Sequence, residues 1–281
     1  MYIVVSHKHG FFSCCSMILD NIAQFYNKHG CLPDYVDSSD SFEWYKPVGL
    51  EGDITRHYFE PEHTADVTIN PPIDFHHRHQ WKDYKELRYD QLMPLINCYF
   101  RPTVEIGGIV SDIESRYQIT DHENICVLFY RGNDKCIETN LCDYEEFVGK
   151  AREIKSKHPD VRFLIQSDET GFIHRMTAEF PNSFYLRDDI RHMKKCIRSV
   201  DRVAPQFNFE FSKKYLAITI LMGKCKHIVC NTGNCSLWIM LYRGNADNVY
   251  QNFDGVWFTP SMPPGCHLPL GCTQIQLHHH H

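Results

Sequence analysis

No CxxC pair occurs among the thirteen cysteines of this 281-residue chain, and Cys14 and Cys15 are adjacent. Zinc ribbons need thiol pairs at fixed spacing and small secreted scaffolds need a disulfide framework, so neither is expected. Cys126, Cys225 and Cys230 lie in or beside apolar runs, where a thiol packs as a small hydrophobe. Free thiols in a reducing, cytoplasmic compartment are the expectation. Long apolar runs are lacking too. The longest, 215–223, has 9 residues, far short of the roughly 20 that cross a bilayer, and the apolar stretch after Met1 is too short for a secretory signal. Positive charge is in deficit: a net charge of −6 gives no general attraction to nucleic acid or an anionic membrane. There is no internal repeat, low-complexity linker or G-x-S-x-G elbow. The last four histidines, His278–His281, are set aside as a tag remnant.

What is present from Ile125 onward is a regular alternation. ICVLFY is a continuous apolar run, as a strand covered on both faces requires. Asp143 with Glu146 three residues on has the pattern of a capping box, and Phe147, Val148, Ala151 and Ile154 fall on one face of the helix it opens. Pro159 stops that helix, and VRFLIQ (161–166) is the next strand. A short helix, a strand FYL (184–186), a buried helix (209–225), a strand HIVCN and a final helix SLWIMLY follow. Strands alternating with helices predict a parallel α/β sheet. Upstream, YIVVS is a strand, HKHGFFS a loop, and the segment ending at Gly30 a helix. The stretch from Cys31 to Pro102 reads as a smaller, decorated α/β unit. The expected organisation is an N-terminal unit over 1–115 and a C-terminal Rossmann-like unit over 116–277, the junction lying within 101–121.

Ligands of parallel α/β sheets bind at the carboxyl ends of the strands. Three polar clusters fall there: RGNDK after ICVLFY, QSDET after VRFLI, and NTGNCS after HIVC. Each alone is ordinary turn chemistry; together they outline one rim. Their chemistry suits a nucleotide diphosphate. Arg131 offers a planar fork for phosphate oxygens. The turn Thr232, Gly233, Asn234, Cys235, Ser236 opens a helix whose free N–H groups favour phosphate. Asp168 would accept from the amine and ring N–H of guanine. An arginine at a strand tip facing a solvated cleft should support no core.

These residues carry a family resemblance. FYRGNDK resembles the HxRRxDK-type motif of α1,6-fucosyltransferases, including the nodulation enzymes and the animal core enzyme. VRFLIQSDETGFIHRMTAEFPN and KHIVCNTGNCSLWIMLY resemble the second and third signatures of that family, in the same order and spacing over 125–258. Protein O-fucosyltransferases share the arrangement, and HGFFSCCSMIL occupies the place of the Gly-containing loop of GT-B glycosyltransferases, with Gly10 and Phe11 at its centre. The resemblance implies a GT-B fold with two Rossmann-like units facing a cleft. It implies a GDP-sugar donor, typically GDP-fucose, held in the C-terminal unit, and a carbohydrate or glycoprotein acceptor. Carried over by position, Arg131 matches the phosphate-contacting arginine, Asp134 and Lys135 the closing Asp-Lys, and Asp168 an acidic residue of the second motif beside Ser167 and Glu169. Thr232 to Cys235 stand for a Thr-Phe-Ser-Ser turn. Phe129, Gly132 and Thr219 depart from the family's His, second Arg and Asp. Transfer would invert the anomeric centre in one displacement, with Arg131 and the helix N-terminus in place of a metal. No metal and no cofactor are expected. The acceptor's base is open; His7, Asp37, Asp40 and Glu43 are candidates.

Other residues compete for attention. His77 and His79 of FHHRH would share a face in a strand, as two metal ligands do, but without a third ligand nearby they read as an exposed acceptor-side loop. Asp188 and Asp189 read as a helix N-cap. Phe42, Trp44 and Tyr45 suit either sugar stacking or core packing. Two further function classes stay open: a catalytically silent sugar-nucleotide or glycan-binding protein, and a hydrolase using Cys14 or Cys15 as a helix-stabilised thiolate.

Overall fold

The computed structural model describes residues 1–62 and 67–265; the terminal histidines and residues 266–277 of the expected C-terminal unit lie outside them. The chain runs β1 (Tyr2–His7), α1 (Phe11–His29), β2 (Tyr35–Ser41), α2 (Tyr89–Tyr99), α3 (Val104–Arg116), β3 (Ile125–Tyr130) and the single turn α4 (Lys135–Glu138). It continues through α5 (Tyr144–Lys157), β4 (Arg162–Ser167), α6 (Thr170–Glu179), β5 (Ser183–Tyr185), the single turn α7 (Val200–Val203) and α8 (Asn208–Lys224). Then come β6 (His227–Asn231), α9 (Asn234–Arg243), β7 (Val249–Phe253) and β8 (Val256–Phe258).

The C-terminal half follows its hydrophobic pattern. Every residue of β3 is buried, and α5 buries Phe147, Val148, Ala151 and Ile154 while its N-cap Asp143 accepts from the Glu146 N–H. The larger sheet has the order β5-β4-β3-β6-β7-β8, parallel throughout except for the antiparallel β7–β8 pair. From β3 the chain winds outward through β4 to β5, then returns to place β6 on the other side of β3. The strand order therefore reverses between β3 and β6, and such a reversal opens a crevice at the strands' carboxyl ends. One side chain seals it: Asn231 accepts from the Arg131 N–H at 3.0 Å and donates to the Arg131 carbonyl at 2.7 Å.

The N-terminal half is narrower than the Rossmann-like unit expected. Its sheet is the parallel pair β1–β2, joined by α1. Downstream, Thr55–His57, His77–Trp81 and Tyr84–Glu86 form 3-10 turns in place of strands. The expected loop after β1 is also shorter, because Phe11 and Phe12 already belong to α1 and are buried; the Phe11 N–H is satisfied by the Tyr45 hydroxyl at 2.8 Å. No helix follows Asp188-Asp189. Asp189, 3% exposed, instead takes both terminal nitrogens of Arg116 at 3.0 and 2.8 Å.

The two halves share one hydrophobic core. α1 packs on α9, and α3, which contains residue 115, packs on α8. Buried polar contacts cross the same interface: Trp238 donates to Ser16 at 2.9 Å, the Tyr58 and Ser212 hydroxyls meet at 2.6 Å, and Tyr84 bonds Gly233.

Candidate functional site

The reversal between β3 and β6 opens into a cavity of about 510 Å³, walled by the loop after β1, the ends of β3 and β4, the start of α9 and the segment before α8. Of the residues singled out from the sequence, Gly10, Phe11, Arg131, Asp134, Lys135, Asp168, Asn234 and Cys235 line it.

Arg131 leaves β3 at the floor. One terminal nitrogen pairs with Asp168 Oδ2 and the other with Asp134 Oδ1 at 3.3 Å. The second Asp168 oxygen accepts from the Gly132 N–H at 2.8 Å. Each oxygen of this carboxylate, 5% exposed, thus already accepts one bond within the protein. Burial pushes the Asp168 carboxyl up, while Arg131 and the Gly132 N–H pull it back. Burial likewise opposes charge on Arg131, and Asp168 more than restores it, so the guanidinium stays charged. With its side chain 16% exposed, Arg131 braces the loop as well as facing the cavity.

The neighbours of these residues form a frame. Glu169, fully buried, accepts from the Asn133 N–H at 2.8 Å and from the Tyr144 hydroxyl, and its own N–H is taken by Ser167. Thr232 donates to the Asn252 carbonyl and Ser236 to the Asn231 carbonyl. The Tyr84 hydroxyl spans Gly233, donating to its carbonyl at 3.0 Å and accepting from its N–H at 3.1 Å. Ser167, Glu169, Thr232, Gly233 and Ser236 therefore hold the strand ends and the start of α9 rather than wall the cavity. Lys135 lies across Gly233, where an added Cβ would come within 3.4 Å of its Cε, and reaches Glu138 at 2.7 Å.

On the opposite wall the base candidates separate. His7 sits behind the surface with Nε2 2.7 Å from the Ser13 hydroxyl; burial, then His9 and His77, hold it down to about 4. Asp37 lies in mid-strand opposite Val4, its carboxylate turned to Ser39, whose hydroxyl and N–H pull its pKa down. Asp40 contacts Ser6 and Glu43 contacts Lys46. None of these four walls the cavity; the neighbouring His9 does. Of the aromatic trio, Phe42 is core and Trp44 walls the cleft. The Tyr45 hydroxyl donates to Asp201 at 2.9 Å, and Arg191 pairs with Asp201 from the far side. Gln166 belongs to the QSDET cluster but was given no role, and Ser199 was not anticipated. Each is buried against the cavity with a side-chain oxygen that has no partner, Gln166 Oε1 and Ser199 Oγ. Gln166 could have been found from its place at the end of β4; nothing local marks Ser199.

Two other candidates resolve on chemistry. Cys14 and Cys15 are fully buried; burial pushes the Cys14 thiol up to about 11 and raises the Cys15 thiol well above its ordinary range, so the thiolate nucleophile reading fails. The fold does bring a third group to the histidine segment, Asp20, with Oδ2 2.7 Å from His77 Nδ1 and 3.8 Å from His76 Nε2. His76 Nδ1 accepts from the Arg78 N–H, so its proton sits on Nε2, facing the carboxylate. His77 hydrogen-bonds Asp20 through its N–H and its ring, His76 Nε2 stands beyond hydrogen-bond reach, and the ligand atoms of all three lie within 4.8 Å of one another.

No family model matches the chain, and no curated protein does. Solved structures do. NodZ alpha-1,6-fucosyltransferase soaked with GDP-fucose superposes with a TM-score of 0.50 at 11% identity, covering 89% of this chain and 94% of its own. The fold is fucosyltransferase-like. Fucosyltransferase NodZ from Bradyrhizobium covers 92% of this chain and 98% of its own at 12% identity and a TM-score of 0.49. Among the described residues no helix is long and apolar enough to cross a membrane.

Proposed function

We propose that the cavity is the donor site of a glycosyltransferase that uses a nucleotide sugar, GDP-fucose in the finest form of this reading, and glycosylates a hydroxyl of a glycan or glycoprotein. The observation that carries it is the convergence at the strand-order reversal: Arg131 from β3 and Asn234 and Cys235 from the first turn of α9 face one cavity. A fixed guanidinium and free helix N–H groups stabilise the charge that grows on a departing diphosphate. The reading takes the two halves as the GT-B pair, with the donor on the C-terminal side and inversion in a single displacement. It needs no metal, since Arg131 and α9 meet the charge. His9, exposed on the facing wall, replaces His7 and Asp37 as the base for the acceptor hydroxyl.

The test is a thermal-shift series with GDP, UDP, dTDP, ADP and CMP, followed by donor hydrolysis with and without EDTA. GDP should give the largest rise in melting temperature, and turnover should survive chelation. A flat response to every nucleotide, or activity restored only by added Mn²⁺ or Mg²⁺, would overturn the corresponding part. A silent sugar-nucleotide binder is the second reading, and Gly132 favours it. A Cβ there would lie 2.0 Å from Glu169 Oε1, so this loop excludes the second arginine of the fucosyltransferase motif. GDP binding without hydrolysis or transfer would select that reading.

A further inference from the structure

The segment 191–202 carries Arg191, Lys194, Lys195, Arg198 and Arg202 against one acid, Asp201, in a chain of net charge −6. It is strapped along the cavity mouth. At one end Met193 exchanges backbone bonds with Asp168 and Thr170, and the Cys196 N–H donates to Asn133 at 3.0 Å. At the other, Asn208 holds the Asp201 and Trp44 carbonyls. Inside the cavity each cation has a carboxylate: Arg131 with Asp168 and Asp134, Lys135 with Glu138, Arg191 with Asp201. The rim differs. Lys194, Lys195 and Arg198 are exposed and form no ion pair among the described residues, and Arg202 lies over the Trp44 ring at 5.0 Å. Lys194, Lys195 and Arg198 do not wall the cavity themselves, but Arg191 and Ser199 on either side of them in the strap do. Just inside, the unpartnered Ser199 hydroxyl awaits a polar group.

We infer that the strap selects an anionic acceptor, an oligosaccharide carrying carboxylate or sulfate groups. This deepens the glycosyltransferase reading and rests on it for the word acceptor. The Ser199 hydroxyl bonds a sugar hydroxyl beside the Trp44 ring, whose face Arg202 covers, and the rim cations take the charges of the next residues along the chain. The four rim cations without an ion pair reach only the lower end of the clusters of about 4–8 that hold a protein to an anionic bilayer, and the buried, unpartnered Ser199 hydroxyl beside them suits a sugar hydroxyl better than a lipid surface.

The test is calorimetric binding at low and high salt of an oligouronate, a sulfated oligosaccharide and a size-matched neutral chito-oligosaccharide. Wild type is compared with K194E/K195E/R198E and with the glutamine triple variant, and GDP binding and melting temperature are recorded for each. The anionic sugars should bind wild type more tightly than the neutral one and weaken with salt. Charge reversal should lower their affinity by roughly 10- to 100-fold, and glutamine by less, with GDP affinity unchanged. The uronate and sulfate arms distinguish the two sources of charge. Equal binding of the neutral sugar, indifference to both triple variants, or binding to anionic vesicles with no response to any oligosaccharide would overturn the inference. Wild type that binds the anionic sugar but ignores GDP would sink the donor reading and leave this surface standing.

Discussion

Arg131→Ala removes two things at once, and the structure says how to separate them. The substitution strands Asp168, a carboxylate 5% exposed that keeps only the Gly132 N–H. Breaking one side of a buried pair costs roughly 3–5 kcal/mol. Partial exposure of Arg131 and the option of protonating Asp168 reduce this to about 2–4 kcal/mol. For a chain of this size that lowers the melting temperature by about 5–15 °C. The deficit should shrink as pH falls, because burial already raises the Asp168 pKa and a protonated Asp168 leaves no uncompensated charge. Arg131→Ala with Asp168→Asn removes both charges, and the amide oxygen can still accept from Gly132. The double variant should therefore recover most of the melting temperature. If Arg131 also grips the diphosphate, GDP affinity and turnover will not recover with it, and kcat/KM should stay down by about 10²–10³. The assay is calorimetry with GDP beside thermal unfolding, on wild type and both variants. Recovery of GDP affinity together with stability would make Arg131 a brace alone and refute the donor-site assignment.

Three further outcomes are expected. Gly132→Ala would drive a Cβ into Glu169 and should cost about 1–3 kcal/mol in urea unfolding; an unchanged midpoint would refute the close packing of this loop. GDP should protect Cys235, which walls the cavity, from alkylation, while exposed Cys31 reacts equally with and without it; mass spectrometry reads both. His227, buried and neighboured by His158, is held down to about 4. Its folded pKa lies below the unfolded value near 6.5, so the unfolded chain takes up the proton first and stability falls as pH drops from about 6.5 through 4. His227→Gln should flatten that part of the pH–stability profile; an identical slope would exclude it.

The parts legible in the sequence were those written locally. The apolar run of β3, the one-sided spacing of α5 and the polar clusters closing β3, β4 and β6 each need only neighbouring residues, and they located the floor of the cavity. The opposite wall is written across the chain. Tyr45 finds Asp201 at a separation of 156 residues and Asn133 finds Cys196 at 63, and no periodicity records such pairs. The same holds for Asp168. Its residue type suggested a base-reading carboxylate, and only the fold reveals that Gly132 and Arg131 each already bond one of its oxygens. In the N-terminal half, residues 31–88 carry neither helical nor strand periodicity over any useful length. The sequence pattern therefore could not show that, among the described residues, the sheet ends at two strands.

The contacts joining Ser16 to Trp238, Tyr58 to Ser212 and Tyr84 to Gly233 also set an order in time. At synthesis rates of roughly 5–20 residues per second, α1 emerges some 10–40 s before α9 exists to cover it. Until then the face of α1 bearing Phe12, Cys15 and Leu19, fully packed in the finished molecule, has no final partner. The cavity floor cannot close early either, since Asn231 must arrive before it can fix Arg131. A newborn chain thus carries an exposed apolar helix until α9 is made. Its yield in a cell depends on what shelters that helix in the interval.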